Sequence, residues 1–107
     1  MSGKADSPAS VIAESLGDAA PPESLSRPLQ ALWWLKKGGL AVGSEWERAH
    51  DLTQAGEGDA DHDRVHALVH WIEGDLANAG YWYRRVDDGR AADLQAEWAR
   101  QLALIAR

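Results

Sequence analysis

The chain has no cysteine and no phenylalanine, and only one methionine and four prolines, in 107 residues. Without cysteine there can be no disulfide framework and no thiolate-bound metal. Apolar runs are a few residues long, far below the roughly 20 needed to span a bilayer. No membrane partner is therefore expected. Basic residues are also short, 11 Lys and Arg against 17 Asp and Glu, for a formal charge of −6. A phosphate backbone would be repelled, so no nucleic acid is expected as a partner. Met1 to Ser10 carry one lysine and no apolar core, which is not the pattern of a signal peptide, and a cytoplasmic location is the default expectation. Period-two alternation is missing, so strands are not expected. A Gly-x-Ser-x-Gly elbow is missing too. With no cysteine nucleophile either, an enzyme is the less favoured expectation.

What the chain does have is six tryptophans and a run of helical patterns. Residues 1–25 are rich in Ala, Ser, Gly, Pro and Asp, and Gly17 and Pro21-Pro22 interrupt the short apolar set Val11, Ile12 and Leu16. Such a segment reads as a disordered tail, because it cannot bury enough apolar surface to offset its ordering entropy. The helical domain is expected over residues 26–107. Ser26 caps a helix over about Arg27 to Lys37, with Pro28 in its first turn and Gly38-Gly39 after it. Ser44 to Glu47 reads as a capping box opening a second helix, with Trp46, Ala49, Leu52 and Thr53 on one face. A third helix is expected over about His62 to Glu73, capped by Asp61, with Val65, Leu68, Val69 and Ile72 inward. A fourth follows Asp75 and runs to about Val86, its packed face Leu76, Ala79, Gly80, Tyr83 and Val86. The fifth covers about Ala91 to Ala106, striped by Leu94, Trp98, Leu102 and Ile105. That stripe could cap the bundle or support a homodimer. The expected fold is all-α, about five helices in antiparallel hairpins.

Ser44 to Ala49 aligns with Gly74 to Ala79 at an offset of 30, the mark of repeated helical hairpins. Gly74, Leu76, Ala79 and Tyr83 stand at the turn, large apolar, small and aromatic positions of a repeat. This half-repeat resembles the tetratricopeptide and Sel1-like repeats, with Val86 where those carry alanine. The stretches Trp46 to His50, Val65-His66 to Leu76, and Asn78 to Arg85 also resemble a family of small uncharacterised bacterial proteins. That resemblance implies a compact tetratricopeptide-like fold and no particular activity.

Two sets of side chains are candidates for function. All four histidines fall between residues 50 and 70, and His62, His66 and His70 lie at i, i+4, i+8. At about 100° per residue these form one stripe on a helix. His50, on the preceding helix, could face His66 and His70. Three imidazoles suit a transition metal such as zinc, with Glu73 as a fourth ligand or as an orienter of a histidine. The plainer alternative is histidines that hydrogen-bond across a helix interface. Calcium is not expected at Asp59, Asp61 and Asp63, because Arg64 and His70 stand where a calcium loop needs Gly and Glu. The second set is Trp34, Trp71, Tyr81, Trp82, Arg84 and Arg85, the residue types of binding hot spots. They suggest a groove for a protein or peptide partner, with an arginine clamping a carboxylate. The alternative has Trp82 packing on Trp98. Binding of a protein or peptide is the leading functional expectation, and metal or small-ligand binding through His50, His66, His70 and Glu73 is the second.

Overall fold

Short side chains at the helix starts set the boundaries of most elements in the computed structural model, which describes residues 7–107. The helices are α1 (Pro8–Ser15), α2 (Arg27–Lys37), α3 (Ser44–Ala55), α4 (Ala60–Ile72), α5 (Leu76–Val86) and α6 (Leu94–Ile105). Ser7, Ser26, Asp59, Asp75 and Asp93 each accept a hydrogen bond from a backbone N–H three residues on. Each satisfies one amide that the helix itself leaves free. The described residues contain no strand, and no helix is long and apolar enough to cross a membrane.

Several expectations need correction. Part of the segment read as a tail is helical: α1 buries Ile12 to 1% exposure, and Lys37 Nζ donates to the Leu16 carbonyl. Its apolar residues are few, but α2 supplies the surface they lacked. Residues 1–6 of that reading lie outside the described residues. The described residues thus form six helices. The capping box at Ser44 does not form, because Gly43 is the cap and Ser44 Oγ turns to Glu45 instead. Asp59, rather than Asp61, caps α4, while Asp61 takes Arg64 and Arg107. Leu76, expected on the packed face of its helix, is 60% exposed. It is the first residue of α5 and lies beyond the reach of the core.

The core is built on α2 and α4. Ala31 to Leu35 of α2 and Val65 to His70 of α4 are all buried. Successive helices pack as pairs, α4 with α5 and α2 with α3 most extensively, and α4 also touches α3, α6 and α2. Three indoles pin helices together. Trp33 Nε1 donates to Ser15 Oγ of α1, Trp46 Nε1 to the Val69 carbonyl of α4, and Trp98 Nε1 to the Leu32 carbonyl of α2, each at 2.8 Å. A buried indole needs such an acceptor.

On the α6 side a carboxylate is fully enclosed. Glu97 accepts from Tyr83 Oη, the Ala91 amide, Arg100 Nε and Gln101 Nε2 at 2.7–2.9 Å. Burial would raise its pKa, but those donors, Arg100 foremost, outweigh it and hold the carboxyl below its usual range. Burial and the neighbouring carboxylate push the Tyr83 hydroxyl far up. The Glu97→Ala substitution leaves the half-buried Arg100 and the enclosed donors Tyr83, Gln101 and the Ala91 amide without this acceptor. It is expected to cost about 3–5 kcal/mol, read as a lower urea midpoint with an unchanged m-value.

Candidate functional site

The histidine site is assembled by three helices. One turn of α3 separates Trp46 from His50, and their rings stack, 5.3 Å apart and 4° from parallel. The Trp46 hydrogen bond to α4 therefore also directs His50 toward α4. One turn of α4 separates His66 from His70, whose rings lie 4.8 Å apart and 27° from parallel. The His50 ring meets these two edge-on, at 5.3 and 5.4 Å. From α5, Trp82 closes the far side by stacking on His66 at 4.3 Å. It does not pack on Trp98, which faces α2.

One ring nitrogen from each of His50, His66 and His70 lies within 4.8 Å of the other two. A tetrahedral zinc with bonds of 2.0–2.1 Å would hold such nitrogens about 3.3 Å apart. Binding such an ion would draw the three nitrogens together to that separation. His66 and His70 are 2% and 6% exposed, and half-buried His50 forms the solvent side.

The Nδ1 atoms of the two buried rings have different surroundings. His70 Nδ1 lies 2.7 Å from Glu73 Oε2. A proton on Nδ1 donated to this carboxylate leaves the Nε2 lone pair free to ligate. Glu73 thus stands where an orienter of His70 would stand, one of its two expected roles. His66 Nδ1 is buried without a hydrogen-bond partner. The nearest carboxylate oxygen, Glu57 Oε2, is 3.9 Å away. An orphaned nitrogen on an enclosed ring is a costly feature in a purely structural histidine, and it fits a ring whose protonation waits on a ligand. Burial, then the neighbouring His70 and His50, lower the His66 pKa to about 4. The site is therefore neutral at pH 7 as far as His66 is concerned, the state a metal requires.

His62 does not join the cluster. Its Nδ1 lies 2.7 Å from Asp59, and its ring covers Gly56. His70, Glu73 and Asp75 form a second close set at the end of α4. There, Glu73 and Asp75 are exposed, and Asp75 is engaged in capping α5.

The aromatic and arginine residues are distributed over different places. Trp34 is buried beneath Arg48 and helps line a surface cleft of about 460 Å³ with Gln30, Asp51 and Leu52. Trp71 is half-buried beneath Arg90. Tyr81 is 46% exposed and meets Trp82 edge-on, with Arg85 over both rings. Arg84 is exposed. Sequence reasoning left Trp46 to the core and did not single out Glu57. The i, i+4 spacing of Trp46 and His50 was a readable signal, whereas nothing local ties Glu57 to a residue nine positions later. No protein-family model, curated protein or solved structure matches the chain.

The low proton affinity of His66 has a consequence for acid stability. The unfolded chain takes up this proton near pH 6.5, and the metal-free folded chain near 4. Between those values the unfolded state holds more protons, so stability falls as pH falls, and the effect levels off below pH 4. The expected slope is up to about 1.4 kcal/mol per pH unit. Urea midpoints from pH 7 to pH 4 are expected to show this slope as the difference between the parent chain and His66→Gln.

Proposed function

We propose that this protein binds a divalent transition metal ion through His50, His66 and His70, with zinc as the reference ion. The observation that carries this is the convergence of three ring nitrogens within 4.8 Å. A set of three neutral imidazoles suits zinc, copper(II) or nickel. It also leaves a coordination position for water or a small ligand, as in zinc sites with three protein ligands. Glu73 behind His70 supports the reading, since ligating histidines are commonly backed by a carboxylate. The histidines also fall inside the stretch that carries the resemblance to the bacterial family.

The helical-repeat reading is supported by the α2–α3 and α4–α5 pairs. Gly74 at φ +85° in the α4–α5 turn and fully buried Ala79 agree with it. Binding of a protein or peptide stands as a second reading. The exposed pair Tyr81 and Arg85 supports it.

The test is metal binding by the purified chain with no affinity tag. Titration with zinc is expected to give one ion per chain. At free zinc 100 times the Kd, the native state gains about 2.7 kcal/mol, raising Tm by on the order of 10 °C. His66→Ala and His50→Ala are each expected to weaken binding by more than about 100-fold, beyond the usual cost of losing an outer partner. Absence of both binding and a thermal shift with zinc, nickel and copper would overturn the proposal.

A further inference from the structure

The two buried histidines of the site have carboxylates behind them at different stages of engagement. Glu73 already meets His70 Nδ1 at 2.7 Å. Glu57 stands 3.9 Å from His66 Nδ1, beyond hydrogen-bond reach, and His66 Nδ1 has no other partner. Neither carboxylate belongs to the close set formed by the three imidazoles. His70 Nδ1 faces Glu73 and His66 Nδ1 faces Glu57, so ligation through the Nε2 atoms would leave both carboxylates behind their rings.

The backbone around Glu57 is anchored. Gly58, at φ +101°, donates its amide to the buried carboxylate of Asp63 at 3.1 Å, and Asp59 caps α4. Glu57 itself is an exposed side chain between two glycines. A shift of about 1 Å in this side chain brings its oxygen to the 2.7–2.9 Å of a charge-assisted bond. The driving force arises on ligation. A histidine bound to a dication through one nitrogen becomes a stronger donor at the other. A dication on three neutral imidazoles also keeps its full +2 charge, which two outer carboxylates balance.

We infer that Glu57 is a positioning residue of the metal site: it engages His66 Nδ1 when the ion binds and thereby ties the α3–α4 loop to the occupied site. This rests on the metal-binding reading above. The loop joins the helix of His50 to the helix of His66 and His70. Occupation of the site therefore links α3, the loop and α4 in one unit.

The experiment measures zinc affinity, by competition with a chromophoric chelator, for the full chain and for Glu57→Gln, Glu73→Gln and Glu14→Gln. Glu14 lies on α1 and serves as the charge control. Glu57→Gln is expected to weaken zinc binding by about 10–100-fold, as is Glu73→Gln. The control is expected to stay within about two-fold. The metal-free Tm of Glu57→Gln is expected to match the parent, because the side chain has no hydrogen-bond partner among the described residues. The cobalt(II) spectrum is expected to keep its band positions, because Glu57 is not a ligand. Unchanged zinc affinity in Glu57→Gln overturns the inference and leaves the metal-binding reading intact. A shifted cobalt(II) spectrum overturns the outer position of Glu57, and a lowered metal-free Tm overturns its role as a residue engaged only on ligation. Failure of the parent chain to bind zinc, nickel or copper overturns both readings.

Discussion

The enclosure of α4 on all sides is the constraint on which the rest depends. Six consecutive residues, Val65 to His70, are buried, and α2, α3, α5 and α6 all pack against this helix. A helix covered all round is ordinarily apolar all round. Here two of its six central residues are histidines, so each ring must find partners inside the fold or remain an uncompensated polar group. Stacking on His70 and Trp82 covers the His66 ring, and Glu73 answers one nitrogen of His70. One nitrogen of His66 is left over. With four helices packed around α4, that nitrogen is enclosed within the fold.

The tryptophans hold this arrangement in place. Trp33, Trp46 and Trp98 each combine a large apolar surface with one donor, and each donor ends on a different helix from its own. Phenylalanine would fill comparable space without that donor, so it could not replace the cross-helix hydrogen bonds. Trp34 and Trp71 lie under the guanidinium groups of Arg48 and Arg90, where a cation is attracted to the ring face. Trp82 is the only tryptophan stacked on a buried histidine, and Trp46 stacks on its half-buried counterpart. Thus Trp33, Trp46 and Trp98 pin helices, Trp46 and Trp82 shape the histidine site, and Trp34 and Trp71 seat arginines.

Two polar centres inside the same small fold show different logic. Around Glu97, donors from a tyrosine, an amide, an arginine and a glutamine meet one carboxylate. Its charge is answered within the chain, as expected of a group whose work is to join α5 to α6. Around His66 the reverse holds: one ring nitrogen from each of three histidines converges within 4.8 Å, and His66 Nδ1 has no partner among the described residues. A centre with unspent ligating capacity is where an external ion has something to bind.

Much of the architecture was legible in sequence. The helices from α2 to α6 follow from apolar spacing, from caps such as Ser26 and Asp75, and from breaks at Gly38, Gly56 and Gly74, whereas the Asp93 cap that starts α6 at Leu94 was not read. The i, i+4 pair His66 and His70, and its end-of-helix partner Glu73, were likewise readable, because a helix converts sequence spacing directly into proximity. Three matters were not. The helix α1 needed the surface of α2 before its few apolar residues could be buried. Gly43 displaced Ser44 as a cap because the loop geometry, not the capping motif, decides where the chain enters a helix. The distance between His50 and the α4 histidines depended on how α3 packs on α4, and the reach of Glu57 on the path of the loop between them. Local spacing determines what lies on one face of one helix; which faces meet, and which polar atom is left without a partner when they do, is decided only when all the helices compete for the same interior.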